Sequence, residues 1–320
     1  MMIDFLLIIV GLALLLKGGD WLVDGSSNLA RRYKISELAI GLTIVAFGTS
    51  APELVVSFVA SIDLHPEITF GNVIGSNNFN LLLILGVTGI IAPLTVQKNT
   101  ICIEIPISLF AAVVLLLLAN YGFISDSGNI LSRIDGFILL VFFALFVFYV
   151  IKNMKNVEVN DRQNEQTPFS LRKSLLFIVL GLVCLIAGGK IVVNSAVSLA
   201  RALYISEKVI GLTIVAVGTS LPELVTSITA IRKKNSDIAI GNIIGSNIFN
   251  ILLILGVSSL WQPLEYSPVF NTDIYLLLFG TLFLLLSMLT GKKRILDRWE
   301  AVILVAVYVG YVVFLIMRPE

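Results

Sequence analysis

Long apolar segments alternate along the chain with short polar stretches. Each apolar segment has about 20 residues or more, enough for a helix that rises about 1.5 Å per residue to cross a hydrocarbon core about 30 Å thick. The ten segments are 2–30, 37–62, 67–92, 101–119, 132–151, 174–200, 207–231, 237–262, 273–290 and 298–317. The pattern predicts an all-α integral membrane protein with ten transmembrane helices.

Composition agrees with this prediction and argues against several other functions. Apolar residues make up 57% of the chain and charged residues 13%, against about 25% charged residues in a soluble domain. A net charge of +1 creates no field that would attract nucleic acid. The single histidine, His65, lies outside the apolar segments, and Cys102 and Cys184 lie far apart inside them. We therefore expect no enzyme activity and no cofactor. The expected surroundings are the lipid bilayer, and no obligatory protein partner is expected.

The distribution of Lys and Arg predicts the orientation in the membrane. When the loops are assigned alternately to two sides, one side carries 16 of the 22 basic residues and the other carries 4. Basic loops stay on the cytoplasmic side, so the first set is predicted to be cytoplasmic. Both termini of a plasma-membrane protein would then be extracellular. The long polar stretch 153–173 would be a cytoplasmic linker, because it is too short to fold as a domain.

The chain is also a duplication with a constant offset of 170 residues. One block reads IGLTIVAFGTSAPELVVSFVA at 40–60 and IGLTIVAVGTSLPELVTSITA at 210–230. A second block reads GNVIGSNNFNLLLILGV at 71–87 and GNIIGSNIFNILLILGV at 241–257. The predicted halves, 1–152 and 174–320, hold five segments each. Because five is odd, the second half enters the membrane from the opposite face, which predicts two inverted-topology repeats, as in many secondary transporters.

Each copy of the first block places the sequence Gly-Thr-Ser-x-Pro-Glu inside an apolar segment. Pro52 and Pro222 each remove a backbone donor and should disturb the carbonyl four residues earlier. Glu53 and Glu223 would each cost at least about 3 kcal/mol as unpaired charges at membrane depth. Neither block contains Lys or Arg, so a bound cation is the expected partner. Nearby hydroxyl groups would complete an all-oxygen ligand set of the kind that Ca²⁺ prefers. These hydroxyl groups belong to Thr49, Ser50, Thr219 and Ser220.

The second block adds a stripe of small polar residues. Four-residue spacing places them on one helix face in each copy, toward the protein interior or a water-filled path. They are Asn72, Ser76 and Asn80 in the first copy and Asn242, Ser246 and Asn250 in the second. Residues of this kind also hold membrane helices together without binding anything. Both interpretations of the stripe remain open, whereas glutamates beside prolines favour a binding site.

Together the blocks resemble the two alpha-repeats of the sodium/calcium exchanger family, in the cation/calcium antiporter superfamily, in its prokaryotic form without a large regulatory loop. The resemblance covers the whole chain. It implies secondary active exchange of sodium for calcium by alternating access, with these two ions as the transported species. It also implies that Glu53 and Glu223 serve both the calcium and the sodium sites, with Asn80 and Asn250 beside the middle site. The other implied ligands are the carbonyls of Thr49 and Thr219 for calcium, and Ala46, Thr49, Ser50, Ser76, Ala216, Thr219, Ser220 and Ser246 for sodium.

Two other transport functions remain open at this point. A calcium/proton antiporter would use the same two glutamates, and a passive cation channel would use the same polar path. Inverted repeats and broken helices favour a carrier over a channel. Proton-coupled relatives typically have a GNxxE sequence that is absent here, and potassium-dependent relatives have aspartate where this chain has Asn250. The resemblance therefore implies sodium coupling without a need for potassium.

Overall fold

The computed structural model describes residues 2–121, 129–153, 170–202, 216–289 and 294–317. Within these residues, eight helices are long and apolar enough to cross a membrane, and one bent pair of helices is a ninth candidate. The rest of the described regular structure is four strands of two residues each and two short helices. The prediction of an all-α membrane protein is confirmed. Part of the predicted segment 207–231 lies outside the described residues, so the number ten stays a prediction.

The helices are numbered here in chain order, with π-helical and 3₁₀ turns included in the helix that contains them. Helices α1 to α6 are Met2–Tyr33, Glu37–Thr49, Ala51–Ile62, Pro66–Ile91, Thr100–Tyr121 and Arg133–Asn153. Helices α7 to α12 are Leu171–Ala202, Ala216–Thr219, Leu221–Arg232, Ser236–Trp261, Pro268–Leu289 and Arg298–Met317. Strands β1 to β4 are Leu94–Thr95, Ile130–Leu131, Leu264–Glu265 and Ile295–Leu296. Antiparallel pairing joins β1 to β4 and β2 to β3.

The chain forms two compact units. One comprises Met1–Thr49 and Phe146–Gly245, and the other comprises Ser50–Leu145 and Ser246–Glu320. Each unit therefore contains segments from both copies of the duplication. The sequential division into 1–152, 153–173 and 174–320 stays a prediction.

In the first unit, α1 and α7 pack antiparallel along a seam of small residues. These residues recur every seven positions, which matches the period of a long helix–helix contact. A Cβ atom added at Gly18 would lie 2.8 Å from the carbonyl oxygen of Gly181, so a larger residue would push the helices apart. The facing pairs are Gly11 with Gly188, Gly18 with Gly181, and Gly25 with Ser174.

In the second unit, the C-terminal parts of α4 and α10 are covered in a similar way by two different helices. Helix α12 packs against α4 at Gly86, where an added Cβ would lie 2.9 Å from the carbonyl oxygen of Ala301. Helix α6 packs against α10 at Gly136, where an added Cβ would lie 2.9 Å from the carbonyl oxygen of Gly256. Both close contacts need glycine, because the nearest atoms include backbone atoms that cannot rotate away.

Candidate cation-binding site

Each Gly-Thr-Ser-x-Pro-Glu block interrupts a helix at its serine. In the first copy α2 ends at Thr49 and α3 begins at Ala51, with a bend of 48° between them. In the second copy α8 ends at Thr219 and α9 begins at Leu221. Each proline lies in the first turn of the new helix, where its missing N–H group would have had no helical acceptor. Each proline therefore lies beside a break in its helix, in agreement with the broken helices expected from the sequence, and the disturbance of the carbonyl four residues earlier stays a prediction.

The two glutamates are buried at the start of the new helices. Glu53 is the third residue of α3, Glu223 is the third residue of α9, and each is only 1% exposed. The first turn of a helix carries a partial positive charge, which favours a carboxylate there. The fold therefore places one carboxylate at each interruption.

An asparagine anchors each glutamate-bearing helix to the helix that follows it. In the second unit, Asn72 on α4 donates its Nδ2 to the Glu53 carbonyl oxygen at 3.2 Å and to Ser57 Oγ at 2.9 Å. In the first unit, Asn242 on α10 makes the same two bonds one repeat later. Its Nδ2 donates to the Glu223 carbonyl oxygen at 3.3 Å and to Ser227 Oγ at 3.0 Å. The sequence left open whether the polar stripe holds helices together or lines a cation path, and for these two asparagines the bonds agree with the first interpretation.

Asn242 also contacts the end of α2 within the first unit. The Thr49 hydroxyl donates to Asn242 Oδ1 at 3.0 Å, and Thr49 is fully buried. The contact depends on a close approach of α2 to α10. A Cβ atom added at Gly241 would lie 2.8 Å from the carbonyl oxygen of Leu38 and 2.9 Å from the amide nitrogen of Leu42. The glycine before the asparagine in this block therefore lets the polar groups of two helices meet.

Four asparagines form a reciprocal hydrogen-bond ring in the second unit, between α4 and α10. Asn77 Nδ2 donates to the carbonyl oxygen of Asn247 at 3.3 Å, and Asn247 Nδ2 donates to the carbonyl oxygen of Asn77 at 3.4 Å. Asn80 Nδ2 donates to Asn247 Oδ1 at 3.1 Å, and Asn250 Nδ2 donates to Asn77 Oδ1 at 3.0 Å. We call these four residues the asparagine ring. All four are buried.

Wide helical turns begin at the asparagine ring. The segments Phe79–Ile84 of α4 and Phe249–Leu255 of α10 are π-helical and include Asn80 and Asn250 respectively. Such turns are frequent at functional sites, since they displace side chains and backbone carbonyls from the ordinary α-helical register. The four-residue spacing in the sequence gave no sign of them.

The predicted ligands can be located within the unit to which each belongs. The first unit holds Ala46 and Thr49 at the end of α2, with Thr219, Ser220 and Glu223 around the second helix interruption. The second unit holds Ser50 and Glu53, and the paired helices that carry Asn80 and Asn250. Two buried serines, Ser76 and Ser246, directly precede Asn77 and Asn247 of the ring. Ala216 begins α8, and its side chain lies outside the described residues.

Two further buried acids have structural roles. Asp135 Oδ2 accepts from the Ser132 amide at 2.8 Å, and Glu300 Oε2 accepts from the Asp297 amide at 2.8 Å. Each therefore closes the first turn of its helix as in a capping box.

In the described parts of the chain, no group of three or more His, Cys, Asp or Glu side chains could hold a metal ion. A cation would have to use hydroxyl, amide and carbonyl oxygens besides carboxylates, which suits Na⁺ and Ca²⁺ better than zinc or copper.

Known proteins resemble this chain over nearly its whole length. The family model described as sodium/calcium exchanger protein matches residues 3–152 and 173–317. The chain is 38% identical to a protein named putative antiporter CaxA from Alkalimonas amylolytica, covering 97% of this chain and 98% of that one. It is 35% identical to a sodium/calcium exchanger named MaX1 from Methanosarcina acetivorans, covering 98% of both. A solved structure of the sodium-calcium exchanger NCX_Mj, soaked with Na⁺ and Ca²⁺, matches with a TM-score of 0.82, 34% identity and 99% of both chains covered.

The apolar helices, the interrupted segments and these matches define a multi-pass membrane transporter that moves cations, not an enzyme. More particularly, the chain belongs to the sodium/calcium exchanger protein family, in the prokaryotic form. The resemblance read from the two repeated blocks is thereby confirmed.

Proposed function

We propose that this protein is a secondary active antiporter that exchanges sodium for calcium across the plasma membrane by alternating access. The observation that carries the proposal is the burial of Glu53 and Glu223 at the starts of two interrupted helices. The helix N-terminus stabilises each carboxylate by about 0.3–1 kcal/mol, which is less than the cost of about 3 kcal/mol for a charge at membrane depth. A divalent cation offsets the remainder, because its charge equals that of two carboxylates.

The other proposed ligands are uncharged oxygens, so they add coordination without adding charge. The carbonyls of Thr49 and Thr219 would complete the calcium shell, with Asn80 and Asn250 beside the middle position. The Thr49 hydroxyl already donates its hydrogen bond to Asn242 Oδ1. Its oxygen therefore turns only lone pairs toward any other partner, including a cation. The proposed sodium ligands besides the glutamates are Ala46, Thr49, Ser50, Ser76, Ala216, Thr219, Ser220 and Ser246.

Alternating access is proposed to rest on ten spans in two inverted repeats, 1–152 and 174–320. The constant offset of 170 residues and the match to NCX_Mj over 99% of both chains support this topology. The basic residues support a cytoplasmic linker at 153–173 and extracellular termini.

The test is calcium uptake into proteoliposomes with one driving gradient at a time. One set of vesicles is loaded with Na⁺ and diluted into choline buffer that contains radioactive calcium, at equal pH on both sides. A second set has equal Na⁺ on both sides and an acidic interior. We expect concentrative uptake in the first set only, and we expect the sodium ionophore monensin to abolish it.

The alternative outcomes identify the competing functions. Uptake driven by the pH gradient alone would mean that the same glutamates exchange calcium for protons. Calcium that equilibrates without either gradient and does not accumulate would indicate a channel. Vesicles prepared without protein set the background for leak, and the E53Q variant sets the background for uptake that does not use the proposed site.

A further inference from the structure

Two members of the asparagine ring, Asn77 and Asn247, have no role in the proposed ligand set. Both are almost completely buried, with 0% and 1% of their surface exposed. A buried amide is unfavourable unless its polar atoms are hydrogen-bonded, and an apolar residue of similar size would pack without that requirement. Because both copies nevertheless have a buried amide at this position, we expect it to have a specific role. The direction of the hydrogen bonds indicates what that role is.

The ring allows only one orientation of each amide group. A backbone carbonyl can only accept, so Asn77 and Asn247 must turn Nδ2 toward each other's carbonyl oxygens, at 3.3 and 3.4 Å. Their own Oδ1 atoms then face the remaining members as acceptors. Asn250 must therefore donate from its Nδ2 to Asn77 Oδ1, and Asn80 must donate from its Nδ2 to Asn247 Oδ1. A flip of either outer amide would bring two oxygens together and lose a hydrogen bond.

The consequence is a pair of acceptors of fixed orientation. Asn80 Oδ1 and Asn250 Oδ1 are buried, and neither accepts a hydrogen bond from any residue that the structure describes. Their N–H groups, which would repel a cation, are held on the opposite side of the amide. On the basis of the proposed function, we infer that Asn77 and Asn247 are positioning residues that turn the Asn250 and Asn80 amide oxygens toward the transported cation.

This arrangement distinguishes the ring from ordinary helix packing in a testable way. Asn120 and Asn271, in the same unit, form a different reciprocal pair, in which each Nδ2 donates to the other Oδ1 at 2.9 Å. In that pair each amide oxygen already accepts a hydrogen bond, whereas the Asn80 and Asn250 oxygens accept none from any described residue. Loss of Asn120 should therefore affect folding stability alone, and loss of Asn77 or Asn247 should also affect cation affinity.

The experiment measures cation-dependent thermal stability of the purified full chain in detergent, with Ca²⁺ and Na⁺ titrated separately. We expect N77A and N247A each to weaken calcium binding about 10-fold, a typical loss when a residue that orients a metal ligand is removed. The control N120A should lower the melting temperature without cation and leave the calcium affinity unchanged. Because Asn77 and Asn247 act through different partners, one folded variant of the two is enough to test the inference.

Double variants test whether the effect passes through the predicted partner. If Asn77 acts through Asn250, N77A adds less than about twofold to the affinity loss of N250A, since the oriented oxygen is already gone. Combined with N80A, the same change should multiply the loss. Unchanged affinity in both N77A and N247A, or a full multiplicative loss with N250A, would overturn the inference. If the unmodified protein itself is stabilised by neither cation, the proposed function fails, and the inference that rests on it fails too.

Discussion

Replacing either buried glutamate by glutamine should remove calcium transport with little change in shape. E53Q and E223Q keep the side-chain volume and remove one of two carboxylate charges. A bound Ca²⁺ ion would then keep one positive charge that no carboxylate compensates. Such a charge at membrane depth costs about 3 kcal/mol, and about 1.4 kcal/mol corresponds to a tenfold change in Kd. We therefore expect each variant to bind calcium at least about 100-fold more weakly.

The same physical argument predicts that these substitutions do not destabilise the protein when no cation is bound. Each carboxylate is 1% exposed, so its burial as an anion opposes folding, and the uncharged glutamine relieves that penalty. The cation-free melting temperature should therefore be equal to or higher than that of the unmodified protein. A structural ion pair would behave differently, because the loss of one partner would lower the melting temperature.

The assay combines sodium-driven uptake of radioactive calcium with a calcium titration of thermal stability in detergent. E67Q is the matched control, because Glu67 lies at the start of α4 with its side chain 62% exposed beside His65. This control should transport calcium as the unmodified protein does. Calcium affinity within a few-fold of normal in either E53Q or E223Q, at equal protein level, would refute the assignment of that carboxylate to the site.

Three further predictions concern packing, ion selectivity and voltage. G241A should destabilise the protein by about 1–3 kcal/mol, because the new Cβ meets backbone atoms of α2 at 2.8–3.0 Å. A melting temperature equal to that of G310A, whose Cβ meets no described atom within 4 Å, would contradict this packing. Sodium-driven calcium uptake should be equal in potassium and choline buffers, since Asn250 supplies an amide where potassium-dependent relatives have a carboxylate; a strict need for potassium would refute the charge argument. Exchange of three sodium ions for one calcium ion, as the family resemblance implies, should move one net charge, worth about 2.3 kcal/mol per 100 mV. The end point of exchange should then shift with a voltage imposed by valinomycin and potassium, and an end point that is the same at every voltage would indicate a two-for-one cycle.

Much of the candidate site could be predicted from the order of residues alone. Pro52 cannot donate a backbone hydrogen bond wherever it lies, so the helix interruption follows from its identity. Glu53 needs a counter-charge in an apolar segment for the same local reason. The exact repetition at Pro222 and Glu223 shows that both features belong to a duplicated unit. These inferences depend on covalent chemistry and on the membrane as solvent, and they need no tertiary contact.

The roles of the asparagines could not be predicted in that way. Four-residue spacing placed Asn72 and Asn80 on one face, but it could not distinguish the anchoring of the Glu53 carbonyl from the presentation of an amide oxygen. An amide is both donor and acceptor, so its role depends on which partners surround it. Those partners lie up to 193 residues away along the chain, as in the bond between Thr49 and Asn242, and the π-helical turns that begin beside the ring have no sequence signal of their own.

The sequence by itself thus determined the membrane environment, the duplication, the places where helices are interrupted and the residues that carry charge. These properties follow from hydrophobicity, proline geometry and repetition, which act locally. Only the tertiary structure decided which backbone carbonyls the asparagines bind, which amide oxygens remain available, and at which glycines an added Cβ atom would lie 2.8–3.0 Å from a neighbouring helix. Hydrogen-bond direction and close packing depend on atoms that folding brings together from distant parts of the chain, so no local pattern can encode them.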